Sequence, residues 1–120
     1  MLRKRLYRPE ALGLLARDLL GRRAPVRPAA EHLHHAAEWL VRAQRATPDD
    51  GVSGGYSFGD GWIASYPETT GYLVPTLLAY AEYAERRDLE ARAIAMARWE
   101  LGVQHPEGGF PGHFVDAAHP

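Results

Sequence analysis

Cysteine is absent from the 120 residues, which removes disulfides, thiolate nucleophiles and thiolate zinc sites together. No run approaches the ~20 consecutive apolar residues of a membrane-spanning helix. A secretory apolar core is missing as well, because the best candidate, Ala11 to Leu20, is cut by Arg17 and Asp18. The expected location is therefore the cytoplasm. No Gly-Lys-Ser/Thr follows any of the glycines, so nucleotide binding through a phosphate loop is not supported. The formal net charge is only −1, and that total points to no nucleic-acid partner. Alternating Val/Ile/Thr-rich segments are also missing, so the expected fold class is all-α.

What is present is an ordinary globular composition, 46% hydrophobic and 24% charged, in a length that suits one small domain. The charge is uneven. Residues 1–28 hold eight basic groups against Glu10 and Asp18, a net of +6, and leave 6 basic and 13 acidic groups, a net of −7, in the rest. Within this basic segment Pro9 suits a first helical position, and Leu12, Leu15, Leu19 and Leu20 form one apolar stripe before Gly21. We therefore divide the chain into a basic amphipathic arm, residues 1–28, and a domain, residues 29–120. The arm packs on the acidic remainder, or meets a partner or an anionic membrane surface.

A second helix is expected from about Ala29 to Ala46, ending at Thr47-Pro48-Asp49-Asp50-Gly51. From Gly51 to Tyr66 glycines alternate with Tyr56, Phe58, Trp62 and Tyr66, a composition that suits a loop presenting rings. A third helix starts at Pro67 or Thr70 and runs to Arg87. Pro75 cannot donate to the Gly71 carbonyl, so this helix either begins in earnest near Val74 or bends there. A fourth opens with Asp88 as N-cap and ends near Val103 or Gln104, before His105-Pro106-Glu107-Gly108-Gly109.

The chain repeats itself. Ala37-Glu-Trp-Leu-Val-Arg-Ala-Gln44 aligns with Ala97-Arg-Trp-Glu-Leu-Gly-Val-Gln104 at an offset of 60, matching Ala, Trp and Gln. Each copy runs into an acidic, glycine-aromatic loop. The pattern predicts stacked antiparallel helical hairpins, about one and a half of them.

The hairpin period, Gln104 followed by Gly108-Gly109-Phe110, and Trp62-Ile-Ala-Ser-Tyr-Pro-Glu-Thr-Thr-Gly-Tyr-Leu73 resemble the α/α-toroid proteins. These include the terpenoid cyclase and protein prenyltransferase superfamily and the six-hairpin glycosidases. The nearest likeness is to squalene-cyclase-like bacterial proteins that accompany polysaccharide biosynthesis, and it spans roughly residues 30–115. It implies an incomplete α/α toroid, an N-terminal piece of a larger protein or a chain completing its core by self-association. The function it implies is binding or modifying carbohydrate in polysaccharide assembly. The alternatives are an isoprenoid-handling protein and a non-catalytic helical interaction fragment. The cyclase Asp-x-Asp-Asp acid is missing here, and so is the cysteine that zinc-dependent toroids use.

Glu68, between Pro67 and Thr69-Thr70 at a helix start, either caps that helix or acts as a general acid or base on a sugar. A second carboxylate, which a glycosidase needs, is sought in Asp60, with Asp49 and Asp50 as turn residues. Tyr56, Trp62, Tyr66 and Tyr72 form a stacking platform for sugar rings or pack the hairpin mouth. Thr69, Thr70 and His113 join them as candidate contacts. Trp39 and Trp99 are assigned to packing. His32 and His35 share a helix face, but the few carboxylates near them argue against a metal site. No cofactor is expected.

Overall fold

The structure is a computed structural model that describes residues 9–115. Among them are four helices, α1 (Pro9–Leu19), α2 (Ala29–Arg45), α3 (Pro67–Tyr83) and α4 (Arg87–Val103), and two short strands, β1 (Tyr56–Ser57) and β2 (Gly61–Trp62). The chain is mostly helical, as its patterning implies.

Local chemistry sets the ends of these helices. Gly21 at φ 62° takes the left-handed position after α1, and Arg22 N–H reaches back to the Arg17 carbonyl at 2.9 Å. This closes the helix with its last carbonyls paired. The Pro28 carbonyl starts α2 by accepting Glu31 and His32 N–H at 3.0 and 3.2 Å. Helix α3 begins at Pro67 and continues without interruption through Pro75 to Tyr83, shorter than the expected end at Arg87. A left-handed Glu85, φ 53°, then turns the chain into α4.

Asp88 does not cap α4. Arg86 holds that place, and Asp88 in the first turn binds its guanidinium through both oxygens at 2.6 Å. The same guanidinium reaches Glu38 of α2 at 3.1 Å, tying the α3–α4 turn to the neighbouring helix. Two arginine contacts pull the Asp88 carboxyl down to about 2, the Arg86 hydrogen bonds first among them.

The core lies among α2, α3 and α4. Ala43, Val52, Leu77, Ala93 and Met96 form one buried cluster, and Ala37, Val41, Ala81 and Leu89 another. Helices α3 and α4 pack closely, and the fully buried Leu77, Leu89 and Met96 fill the core beside the small Ala37, Ala43, Ala81 and Ala93.

The glycine-aromatic segment is more ordered than a presenting loop. β1 and β2 pair antiparallel with Tyr56 opposite Trp62, and bridges continue through Ser53–Ser65 and Ser65–Val115. This ribbon is the departure from an all-α chain. Backbone pairing holds it, and the side chains carry no alternating β pattern, so periodicity gave no sign of it. The molecule measures 51 × 42 × 19 Å, with a radius of gyration of 17.0 Å. A compact chain of this length has about 13.6 Å. Its thin dimension is under two helix diameters of about 10–12 Å, so the protein is a slab with broad open faces.

Candidate functional site

The ribbon is fastened to the helices by a few buried polar groups. Asp49 Oδ1 accepts the Gly51 N–H at 2.9 Å and the Ser65 hydroxyl at 2.5 Å, which makes it a turn residue. The Ser53 hydroxyl donates to the Ile63 carbonyl at 2.6 Å. Gln44 donates to the Asp50 carbonyl at 3.1 Å while its oxygen accepts from Arg92 at 3.0 Å. In the second copy of the repeat Gln104 likewise donates to the Gly108 carbonyl at 2.8 Å. Both glutamines therefore tie a helix end to the loop that follows.

The candidate residues separate into two hollows. One, of about 570 Å³, is walled by rings: Trp39 and Trp62 stand 4.7 Å apart, Tyr56 is 5.1 Å from Trp62, and Phe58 lies 6.1 Å from Tyr56. Arg42 stacks 5.3 Å over Trp39, and Leu14 of α1 leans on the same hollow. Trp39 is thus an exposed member of a ring cluster, whereas its repeat mate Trp99 packs against Gly51.

The other hollow is a groove of about 670 Å³ between the N-terminal half of α3 and the C-terminal half of α4, edged by residues 110–112. Glu68, Tyr72 and Pro75 line it from α3, Glu100 from α4, and Phe110 and Pro111 from the following loop. Tyr72 is 73% exposed and Phe110 49%, so both rings are available to a ligand.

Two unlike carboxyls meet this groove. Glu68 is exposed, and its Oε2 accepts the Tyr66 hydroxyl at 3.1 Å, a contact that raises the Tyr66 pKa. Glu100 Oε1 is buried without a hydrogen-bond partner among the described residues. Desolvation pushes the Glu100 carboxyl up, with the Gly71 backbone partly opposing it. Gly71 lies beside Glu100, where a Cβ would make an ordinary contact 3.8 Å from Oε1.

The remaining candidates fall elsewhere. Thr70 is fully buried, its hydroxyl accepting Val52 N–H and donating to the Tyr66 carbonyl, both at 2.9 Å, so it is an anchor and not a ligand contact. Thr69 is half-buried in the first turn of α3. Asp60 sits in the β1–β2 turn, where its N–H lies 3.3 Å from Ser57 Oγ, and lines neither hollow. His113 directs Nδ1 to the Phe114 carbonyl region at 3.0 Å, beside the groove edge at Gly112. Tyr66 packs its ring 5.1 Å from Phe114, outside the lining of the groove. Among the described residues no three His, Asp or Glu side chains gather to hold a metal ion.

Glu100 is the site residue that sequence patterning passed over. Its signal lay in the repeat: at the offset of 60 it replaces Leu40, a core-facing position, with a carboxylate. Compared with known proteins, the chain matches no family model, no curated protein and no solved structure. Among the described residues no helix is long and apolar enough to cross a membrane.

Proposed function

We propose that the α3–α4 groove binds a carbohydrate, in a cytoplasmic α/α-toroid-like protein serving polysaccharide assembly. The observation that carries this reading is the meeting of Glu68 and Glu100 with the exposed rings of Tyr72 and Phe110 in one groove. Sugars present both apolar C–H faces and rows of hydroxyls. Tyr72 and Phe110 offer flat apolar surfaces to the first, and a solvated carboxylate accepts hydrogen bonds from the second. Glu100 adds a second carboxyl to the same groove, one that desolvation shifts towards its neutral form. Two carboxyls at one groove are also the groups that acid–base work on a glycosidic bond uses.

Calorimetric titration of the full chain with β-glucan and N-acetylglucosamine oligomers tests the reading. Binding is expected, weakened about tenfold, near 1.4 kcal/mol, by Tyr72→Ala or Phe110→Ala. Absence of heat with every oligosaccharide, or binding indifferent to both ring variants, overturns it. A second reading, a helical interaction unit, is favoured by the uncovered leucines of α1, which lead to a separate inference.

A further inference from the structure

Helix α1 meets the rest of the chain at the ring hollow and leaves all its leucines largely exposed. Leu14 leans on the ring hollow of Trp39, Tyr56 and Trp62. At about 100° per residue, Leu12, Leu15 and Leu19 fall within about 60° of one another, and Leu14 lies far round from that stripe. Leu14 stays 49% exposed at the edge of its hollow, and the stripe residues Leu12, Leu15 and Leu19 are 45%, 55% and 77% exposed. A leucine face of this kind on an otherwise basic segment is costly to leave in water.

A matching hollow of about 670 Å³ lies at the α3–α4 turn. Its floor is Leu78 and Ala81, and its rim carries Glu82, Glu85 and Glu90 with Arg87 among them. Arg86, on the same rim, already binds Glu38 and Asp88. None of the three rim glutamates has an ion-pair partner among the described residues. An apolar floor under a mainly acidic rim is the complement of an apolar stripe that runs into Arg22 and Arg23 just after the helix. The whole chain shows the same division, +6 in residues 1–28 and −7 in the rest.

We propose that a second copy of this chain occupies the hollow, the Leu12–Leu15–Leu19 stripe of each α1 seating on Leu78 and Ala81 of the other. Each copy owns one stripe and one hollow, so a two-fold exchange satisfies both at once. The segment from Gly21 to Pro28, outside any helix or strand, gives the arm its separation from α2. Charge fixes the orientation, with the arginines that follow the stripe over the glutamate rim. This association is independent of the carbohydrate groove, whose residues take no part in it.

Sedimentation velocity of the full chain over a range of concentrations provides the test. A monomer–dimer equilibrium weakened by added salt is expected. Leu15→Asp, and separately Glu82→Lys with Glu85→Lys, are expected to raise the dissociation constant about tenfold or more. All these positions are exposed, so the helical circular dichroism of each variant should match the parent. The absence of cysteine permits a direct placement: Leu15→Cys mixed with Leu78→Cys should give a disulfide-linked dimer of the two variants. A monomer at every concentration, or a dimer that ignores these substitutions, overturns the proposal. An internal disulfide in monomeric Leu15→Cys/Leu78→Cys also overturns it, by returning the arm to its own chain. So does monomeric binding to phosphatidylglycerol vesicles that requires Leu15, which would assign the stripe to a lipid surface.

Discussion

The hydroxyl of Thr70 on α3 accepts the backbone N–H of Val52 at 2.9 Å, joining the start of the ribbon to the first turn of the helix. Val52 and Thr70 are both fully buried, so no water is at hand to replace the bond. Thr70→Val keeps the shape and leaves a buried donor unpaired. It is expected to cost about 1–3 kcal/mol, whereas Thr70→Ser should retain most of the stability in a urea titration.

Gly51 is fixed by its neighbours more than by its backbone angles. A Cβ there would stand 2.6 Å from the Trp99 ring and 2.8 Å from the Ser65 Cβ. Gly51→Ala should therefore destabilise the fold by about 1–3 kcal/mol through overpacking. Shortening the opposing ring relieves the clash, so the double variant Gly51→Ala/Trp99→Leu should lose less than the sum of the two single changes, measured as a thermodynamic cycle.

The two glutamines of the repeat make the same kind of loop contact in different surroundings. Gln44 is buried and serves both Asp50 and Arg92, while Gln104 is exposed and serves Gly108 alone. Gln44→Ala should cost about 1–3 kcal/mol in thermal unfolding, and Gln104→Ala about 0.5 kcal/mol or less.

Two carboxyls give opposite pH slopes. The folded Asp88 pKa is depressed to about 2, so its contribution is present above the ordinary carboxylate value and is lost as pH falls towards 2. Because Asp88 is exposed, solvent screening keeps that contribution small. The folded Glu100 pKa is raised, so its contribution is present at acid pH and is lost as pH climbs through the folded value. Glu100→Gln removes an ionisation that folding opposes. Its melting temperature should exceed the parent's at pH 7, and the difference should close below about pH 4, near the ordinary glutamate value.

Part of the candidate site was legible in the chain. Glu68 and Tyr72 stand in one run and line one groove, to which the loop of the second repeat copy adds Phe110, a ring not singled out as a contact. Asp60, sought as a second carboxylate, lies in the ribbon turn outside the groove, because sequence spacing carries no distance across such a turn. The carboxyl that shares the groove with Glu68 is Glu100, 32 positions further along the chain. Tyr56 and Trp62 fall in the other hollow because β1 and β2 pair them across the ribbon, away from Tyr72.

The sequence by itself determined the four helices, their proline and glycine boundaries, the repeat and the division of charge, because 3.6-residue periodicity, turn chemistry and charge counts are local properties. Tertiary structure decided the rest. It began α4 two residues before the expected cap, with Arg86 at that position because its cationic guanidinium pairs with both Glu38 of α2 and Asp88, whereas an aspartate there would meet Glu38 as a like charge. It made a ribbon from a glycine-rich loop through backbone bonds that no side-chain pattern encodes. It also turned Thr70 inward and Trp39 outward and buried one oxygen of Glu100 at the groove, because burial depends on which faces meet when helices pack.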